Sequence, residues 1–138
     1  KSFVIVGGEK SSMGCVAARF VVKKILGKEA SMVQKPRRNA IAILPECADD
    51  IAASFIGFLI GEKLPSREGV LIFEAVTEKE LKAYLSMKNL KYVVPKDDIK
   101  GYWLKHALQA LQESSPGTIE SVARSRAKLQ ELKDAKGN

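Results

Sequence analysis

The amino-acid sequence predicts an α/β protein, in which helices cover both faces of a mostly parallel β-sheet. Two observations predict this fold class. Short apolar runs rich in β-branched residues alternate along the chain with longer segments of helical character. The runs are nearly continuous in their apolar character, which is typical of strands buried on both faces of a parallel sheet. Runs of this kind that alternate with helices favour crossover connections and a layered α/β architecture.

The first half of the chain predicts three strands and two helices. The strands are Ser2–Val6, Ser31–Gln34 and Ala40–Leu44, the last of which is stopped by Pro45. The first helix spans Met13–Leu26 and ends at Gly27, a residue that is typical just past a helix C-terminus. The second helix spans about Cys47–Gly61, and Asp49 and Asp50 lie in its first turn, where negative charge opposes the helix dipole favourably.

The second half of the chain predicts two further strands and three helices. The strands are Val70–Val76 and Leu90–Val94, the latter stopped by Pro95. Thr77 and Glu80 form a T-x-x-E capping box, which predicts the start of a helix that continues through Met87. An amphipathic helix follows over Lys96–Glu113, with the core candidates Ile99, Tyr102, Trp103, Ala107 and Leu111. The last helix is Thr118–Lys136.

These elements predict a three-layer fold of the Rossmann or flavodoxin type. Its sheet is mostly parallel, with four to five strands, helices on both faces and an additional C-terminal helix. Ser115-Pro116 breaks the helical pattern before that last helix. We therefore expect a single α/β domain over residues 1–115, with a basic helix over residues 116–138 appended to it.

Composition excludes several classes of protein. The chain has 138 residues, of which 46% are hydrophobic and 28% charged, as is ordinary for one globular domain rather than for a disordered or collagen-like chain. Its two cysteines, Cys15 and Cys47, are too few for a disulfide framework. The longest apolar run, Ile51–Gly61, is well short of the roughly 20 residues of a membrane span. We expect a cytoplasmic protein with no membrane span.

The loop after the first strand is the strongest candidate for binding a small ligand. In open α/β sheets, ligands bind outside the carboxyl ends of the strands. Glycines allow the backbone to approach a ligand, and the following helix offers unpaired N–H groups to an anion. The candidate ligand-binding residues at this edge are Gly7, Gly8, Lys10, Ser11, Ser12, Glu46 and Lys96. The loop matches neither G-x-x-x-x-G-K-[ST] nor G-x-G-x-x-G, and a glycine turn followed by a serine cap is the favoured interpretation of it.

Other reactive residue types give weaker signals. Cys15, Arg19 and Lys23 are spaced to share one helical face, where cations lower the pKa of a thiol. A small buried residue beside a solvated basic face is the favoured interpretation of Cys15. His106 is the only histidine and has no second ligand at metal-binding spacing, so we expect no metal and no cofactor. The sequence identifies no catalytic residue and does not decide whether the protein is an enzyme.

The charge distribution is uneven and points to anionic partners. The formal net charge is +7, and the first 34 residues contribute more than half of it. Clusters of Lys and Arg bind nucleic-acid phosphates without reading sequence. The candidate nucleic-acid-binding residues are Lys23, Lys24, Lys28, Lys35, Arg37 and Arg38, with Arg124, Arg126 and Lys128 in the last helix.

These observations favour a small basic, non-catalytic protein that binds nucleic acid, such as RNA or a ribonucleoprotein, through its phosphates. Two alternatives remain open. One is an enzyme or a nucleotide-binding or phosphate-binding domain that uses the Gly7–Ser12 loop. The other is an assembly subunit that packs on a protein partner or on a second copy of itself.

Overall fold

The fold is a four-stranded parallel sheet with helices on both faces. It is seen in a computed structural model that describes residues 2–63, 68–94 and 99–136, with the backbone alone for residues 99–102. The strands are β1 (Ser2–Val6), β2 (Ala30–Val33), β3 (Ala40–Cys47) and β4 (Val70–Phe73). The helices are α1 (Met13–Leu26), α2 (Ala48–Leu59), α3 (Glu78–Met87), α4 (Ile99–Ser114) and α5 (Thr118–Lys136). None of the helices in these described ranges is long and apolar enough to cross a membrane.

The sheet has the order β2-β1-β3-β4, and every pair of neighbouring strands is parallel. β1 therefore lies next to both β2 and β3, so the chain turns to one side after β1 and to the other side after β2. The carboxyl ends of β1 and β3 are neighbours at one edge of the sheet. The predicted mostly parallel sheet with helices on both faces and a C-terminal helix is confirmed.

Each face of the sheet has its own helical layer. On one face, Ile5 and Ile43 pack with buried residues of α1 and with Leu81 and Leu85 of α3. On the other side, α2, α4 and α5 bury a separate cluster against which Leu71 of β4 packs. Small residues such as Ala48 and Ala52 allow α2 to lie close to its neighbours, since both are fully buried.

Two strand boundaries differ from the sequence prediction. β3 continues through Pro45 to Cys47, where the sequence predicted a stop at Leu44. Its pairing with β4 shifts register between Leu44 and Cys47, so the missing N–H of Pro45 falls where the ladder is already irregular. β4 is shorter than predicted and ends at Phe73 rather than Val76.

The predicted strand Leu90–Val94 is wrong. This segment is not part of the sheet. Leu90 and Tyr92 pack against the cluster that contains α1 and α3, whereas Val93 and Val94 are 56% and 65% exposed. The segment is thus buried on one side only, and its apolar residues pack on the domain without pairing at a strand edge.

The predicted core face of α4 is also wrong. Trp103 and Leu111 are 64% and 55% exposed, and Ala107 is exposed as well. Leu104 and Leu108, one helical turn apart, are buried in their place against α2 and α5. Apolar residues occur around most of this helix, so the sequence did not identify the face that packs. The side chains of Ile99 and Tyr102 lie outside the described residues.

Candidate functional site

The carboxyl ends of β1 and β3 form a crevice at the point where the strand order changes direction. In open α/β sheets, this switch point is the usual place for a ligand. The Gly7–Ser12 loop follows β1, and the end of β3 contributes Pro45 and Glu46. The two meet closely, because a Cβ added to Gly14 would collide with the carbonyl oxygen of Pro45. Glycine at position 14 therefore allows α1 to begin directly beside β3.

Two consecutive glycines shape the loop. Gly7 and Gly8 have φ angles of 79° and 76°, a left-handed conformation that side chains other than glycine rarely adopt. The Gly7 N–H donates to the carbonyl oxygen of Val33 at 2.9 Å, which fixes the start of the loop to the end of β2. A Cβ at Gly8 would lie 3.2 Å from the Sγ of Cys15, so the loop rests closely on the first turn of α1.

The N-terminus of α1 differs from those of the two other helices that begin at this edge. α2 and α3 begin with capping boxes, in which Asp50 and Glu80 accept hydrogen bonds from the residue before the helix. The N-cap of α1 is Ser12, whose side chain makes no capping hydrogen bond, and its first turn, described in full, has no acidic residue. The positive end of this helix therefore faces the crevice without a carboxylate of its own helix to neutralise it.

The structure brings together most of the predicted ligand-binding residues. Lys10 and Ser11 are exposed on the loop, beside the half-buried Ser12. Glu46 is close enough for its negative charge to raise the pKa of the Cys15 thiol, so it lies near the base of the same loop. The carbonyl oxygen of Ser11 accepts a 2.8 Å hydrogen bond from the Val93 N–H, so the segment after α3 borders the site. Lys96 lies outside the described residues.

Neither cysteine has the character of a nucleophile. Cys15 is fully buried, and its thiol donates to the carbonyl oxygen of Gly7 at 3.6 Å. Burial, together with the Glu46 charge, raises the pKa of Cys15, although the Ser12 hydrogen bond and Arg19 act to lower it. Burial and the Asp50 carboxylate likewise raise the pKa of Cys47. The interpretation of Cys15 as a buried packing residue fits the structure better than an activated thiol.

A buried polar network beside the crevice was not predicted from the sequence. Asp49 is 2% exposed and accepts hydrogen bonds from the Glu78 N–H at 2.8 Å and from the Gln109 side chain at 3.0 Å. Lys105 pairs with Asp50 at 2.7 Å, and the nearby carboxylates raise its pKa although burial alone would lower it. These partners are 29 and 60 residues apart from Asp49, so no local pattern could reveal them. The network holds α2, α3 and α4 in fixed positions.

The candidate nucleic-acid-binding residues are spread over three parts of the fold, and Lys35 among them follows the carboxyl end of β2, where Val33 bonds to Gly7 of the crevice loop. α1 runs back from the carboxyl edge of the sheet, so Lys23, Lys24 and Lys28 lie toward the opposite, amino edge. Lys35, Arg37 and Arg38 are exposed in the connection between β2 and β3. Arg124, Arg126 and Lys128 belong to α5.

Comparison with known proteins gives a match by structure alone. Neither a family model nor the sequence of a curated protein matches the chain. The structure is similar to that of U34-tRNA thiolase NcsA from Methanococcus maripaludis with its [4Fe-4S] cluster. The TM-score is 0.70 at 12% sequence identity, over 95% of this chain and 74% of that chain.

The cluster of that protein does not fit the residues of this chain. An iron–sulfur cluster of this kind is held by cysteine thiolates, typically four. This chain has two cysteines, both buried and both with a raised pKa. Within the described ranges, no group of three or more His, Cys, Asp or Glu side chains could hold a metal ion. The expectation that the chain binds no metal or cofactor stays a prediction.

The comparison contradicts one functional prediction. The sequence favoured a non-catalytic nucleic-acid-binding protein, whereas the solved structure described above, which has a similar fold, is that of an enzyme. The alternative prediction, an enzyme or a nucleotide-binding or phosphate-binding domain that uses the Gly7–Ser12 loop, agrees better with this finding. The chain has the α/β fold of the archaeal tRNA thiolase.

Proposed function

We propose that this chain is the nucleotide-binding domain of an RNA-modifying enzyme, and that the Gly7–Ser12 loop binds the phosphates of the nucleotide. The observation that carries the proposal is the position of the loop, at the switch point of the sheet and in front of an uncapped helix. The loop backbone approaches a ligand freely because Gly7 and Gly8 have no side chains. The similarity to a tRNA thiolase supports RNA as the substrate class.

Charge at the site favours a nucleotide that binds together with a divalent cation. Lys10 and the N-terminus of α1 attract phosphate. Glu46 lies at the base of the loop and repels bare phosphate. Mg²⁺ is commonly held by one or two carboxylates together with the phosphates of a substrate, and this arrangement suits Glu46. The cation is part of the bound substrate and not a resident metal of the domain.

The first test is the affinity of the full chain for ATP with Mg²⁺, measured by isothermal titration calorimetry. A variant that carries Lys10→Ala and Ser11→Ala loses one charge-assisted hydrogen-bond donor and one hydroxyl. We expect it to bind ATP at least about tenfold more weakly, since a hydrogen bond to a charged group contributes about 1.5–3 kcal/mol. Inorganic pyrophosphate should compete with ATP.

A matched control separates this site from general electrostatics. Lys79 is an exposed lysine in the first turn of α3, at the same edge of the sheet but outside the switch point. Lys79→Ala should leave the affinity for ATP within about twofold, because a distant exposed charge is largely screened. A wild-type chain that does not bind ATP at millimolar concentration, or an equal loss in both variants, would contradict the proposal.

Removal of the cation gives a second prediction. We expect EDTA to weaken ATP binding to the wild type, because Glu46 then repels the uncompensated phosphates. In the variant Glu46→Gln, binding should depend less on Mg²⁺ than in the wild type. The same calorimetric titration with and without Mg²⁺ measures this difference, and an identical Mg²⁺ dependence in both proteins would remove Glu46 from the site.

A further inference from the structure

One segment of the chain, residues 19–38, carries almost all of its net positive charge. Residues 19–38 contain seven Lys or Arg residues and one glutamate, which accounts for +6 of the formal net charge of +7. The glutamate, Glu29, pairs with Lys23 at 2.8 Å, and that lysine together with Arg19 lowers its pKa. Both side chains of this pair are about 70% exposed, so the pair lies on the surface.

Topology places several of these charges along one edge of the sheet. Lys28 precedes β2, and Arg37 and Arg38 form the turn before β3, where the Ala40 N–H donates to the carbonyl oxygen of Arg37 at 3.2 Å. β2 and β3 flank β1, so their first residues are about 10 Å apart, or two strand spacings. Lys24 lies near the C-terminal end of α1, which reaches the same amino edge.

Aromatic side chains continue this surface onto the adjoining helices. Phe20 of α1 and Tyr84 of α3 form an edge-to-face pair with ring centroids 6.1 Å apart. The ammonium group of Lys24 lies 5.6 Å from the Phe20 ring, and that of Lys88 lies 6.0 Å from the Tyr84 ring. Lys28 lies similarly over Phe3, at the start of β1. These contacts hold the lysine stems on the protein and leave their charges at the surface.

We infer that this basic edge, defined as Lys24, Lys28, Arg37, Arg38 and Lys88, binds the phosphate backbone of the RNA substrate. This inference rests on the proposed function for the class of partner. A dense set of positive charges from separate segments, with few carboxylates, matches the closely spaced phosphates of a nucleic acid. Contacts to the backbone position the RNA without reading its sequence. The reacting nucleotide is then recognised at the crevice, on the opposite edge of the sheet.

The C-terminal helix is less suited to be the main RNA surface. α5 has five basic residues, but Glu120, Glu131 and Asp134 offset most of their charge. Arg126 is half-buried, and Arg124 donates to the Ser121 hydroxyl at 3.3 Å. Residues 118–136 therefore have a net charge of only +2, against +6 for residues 19–38, and the cations of α5 serve as the comparison.

The test compares two triple variants by fluorescence anisotropy with a labelled tRNA transcript at several salt concentrations. One variant removes three charges of the basic edge: Lys24→Ala, Lys28→Ala and Arg38→Ala. The other removes three charges of α5: Arg124→Ala, Lys128→Ala and Lys136→Ala. We expect the first to weaken binding at least about tenfold and to reduce the slope of log K against log salt by about two to three. The second should change affinity less than about threefold.

Each outcome decides the inference. Equal losses in the two variants would show a general charge effect and overturn it, as would unchanged affinity in the first variant. Stronger binding to anionic vesicles than to tRNA would overturn it in favour of a membrane surface, to which the exposed Ile25 and Met87 would then contribute. ATP affinity should stay the same in both triple variants. If the wild type does not bind ATP but the first triple variant still has a lower affinity for tRNA, the proposed nucleotide site is wrong and the inferred RNA surface is retained.

Discussion

The thiol of Cys15 is a residue-scale probe of the candidate site, since it lies directly beneath the glycine turn. It is fully buried, its Sγ lies 3.6 Å from the carbonyl oxygen of Gly7, and burial raises its pKa. A raised pKa lowers the fraction of reactive thiolate at every pH below it. We expect Cys15 and Cys47 to react with iodoacetamide far more slowly in the native chain at pH 8 than in the chain unfolded in urea.

Mass spectrometry of alkylated peptides measures this difference for each cysteine separately. Urea-unfolded protein at the same pH is the control, because it restores the ordinary thiol pKa and full access. Because the loop covers Cys15, bound ATP should slow its alkylation further, while Cys47, held by Asp50 at the start of α2, should be less affected. Rapid alkylation of native Cys15 at pH 8 would contradict the packing described for this loop.

At the scale of elements, the three helices that begin at the carboxyl edge differ in how they are capped. The Thr77 hydroxyl accepts a hydrogen bond from the Glu80 N–H, and the Glu80 carboxylate accepts from the Thr77 N–H, each at 3.3 Å. The Ser12 hydroxyl makes no capping bond to the backbone of α1, and its hydrogen-bond partner is the Cys15 side chain. Thr77→Ala should therefore lower the free energy of unfolding by about 1 kcal/mol, whereas Ser12→Ala should change it little.

Urea denaturation followed by circular dichroism measures both values without ligand. We expect ATP with Mg²⁺ to stabilise Thr77→Ala as much as the wild type, because that variant leaves the site intact. Ser12→Ala should gain less from the ligand, because it removes a hydroxyl next to the bound phosphates, and it should then be the less stable of the two variants. A large loss of stability in ligand-free Ser12→Ala would show that the Ser12 hydroxyl already stabilises α1 without a ligand, through Cys15 or the helix backbone. That result would weaken the case for an anion at this helix.

The sequence predicted those elements that have local signals. Gly27, with a φ of 64°, ends α1 as predicted, and the T-x-x-E pattern placed the start of α3 correctly. The Gly7–Ser12 loop was identified because both glycines and the helix that follows are adjacent in sequence. Elements that depend on distant partners were missed: the Leu90–Val94 segment has strand-like residues, yet it packs on one side only. The same reason explains the wrong core face of α4.

At the scale of the whole molecule, buried polar groups join the bundle of α2, α4 and α5 to the start of α3, at the carboxyl edge of the sheet. Asp49 of α2 receives hydrogen bonds from the start of α3 and from Gln109 of α4, and Gln109 also donates to Glu78 at 3.0 Å. Lys105 of α4 adds ion pairs to Asp50 and Glu78. The position of α4 is thus coupled to the edge of the sheet that holds the crevice. Assembly with a partner chain stays a prediction.

This coupling predicts how the molecule unfolds. Asp49→Ala leaves the Glu78 N–H without its carboxylate acceptor and removes one of the two acceptors of the Gln109 amide, which keeps Glu78. We expect the free energy of unfolding to fall by roughly 2–4 kcal/mol, the usual cost of removing one partner from a buried polar network. Asp134→Ala is the control, because Asp134 is exposed on α5 and its hydrogen bond with Gln130 contributes little.

Trp103 is the only tryptophan and lies on α4, so its fluorescence reports on that helix, whereas circular dichroism reports on the whole chain. In the wild type the two signals should change at the same urea concentration, as in a cooperative two-state transition. In Asp49→Ala the fluorescence change should come first, since the hydrogen bond from Gln109 of α4 to α2 is lost. Coincident transitions in both proteins, with less than about 1 kcal/mol between them, would mean that α4 does not need Asp49, because the Lys105 ion pairs and the apolar packing of Leu104 and Leu108 then hold it in place.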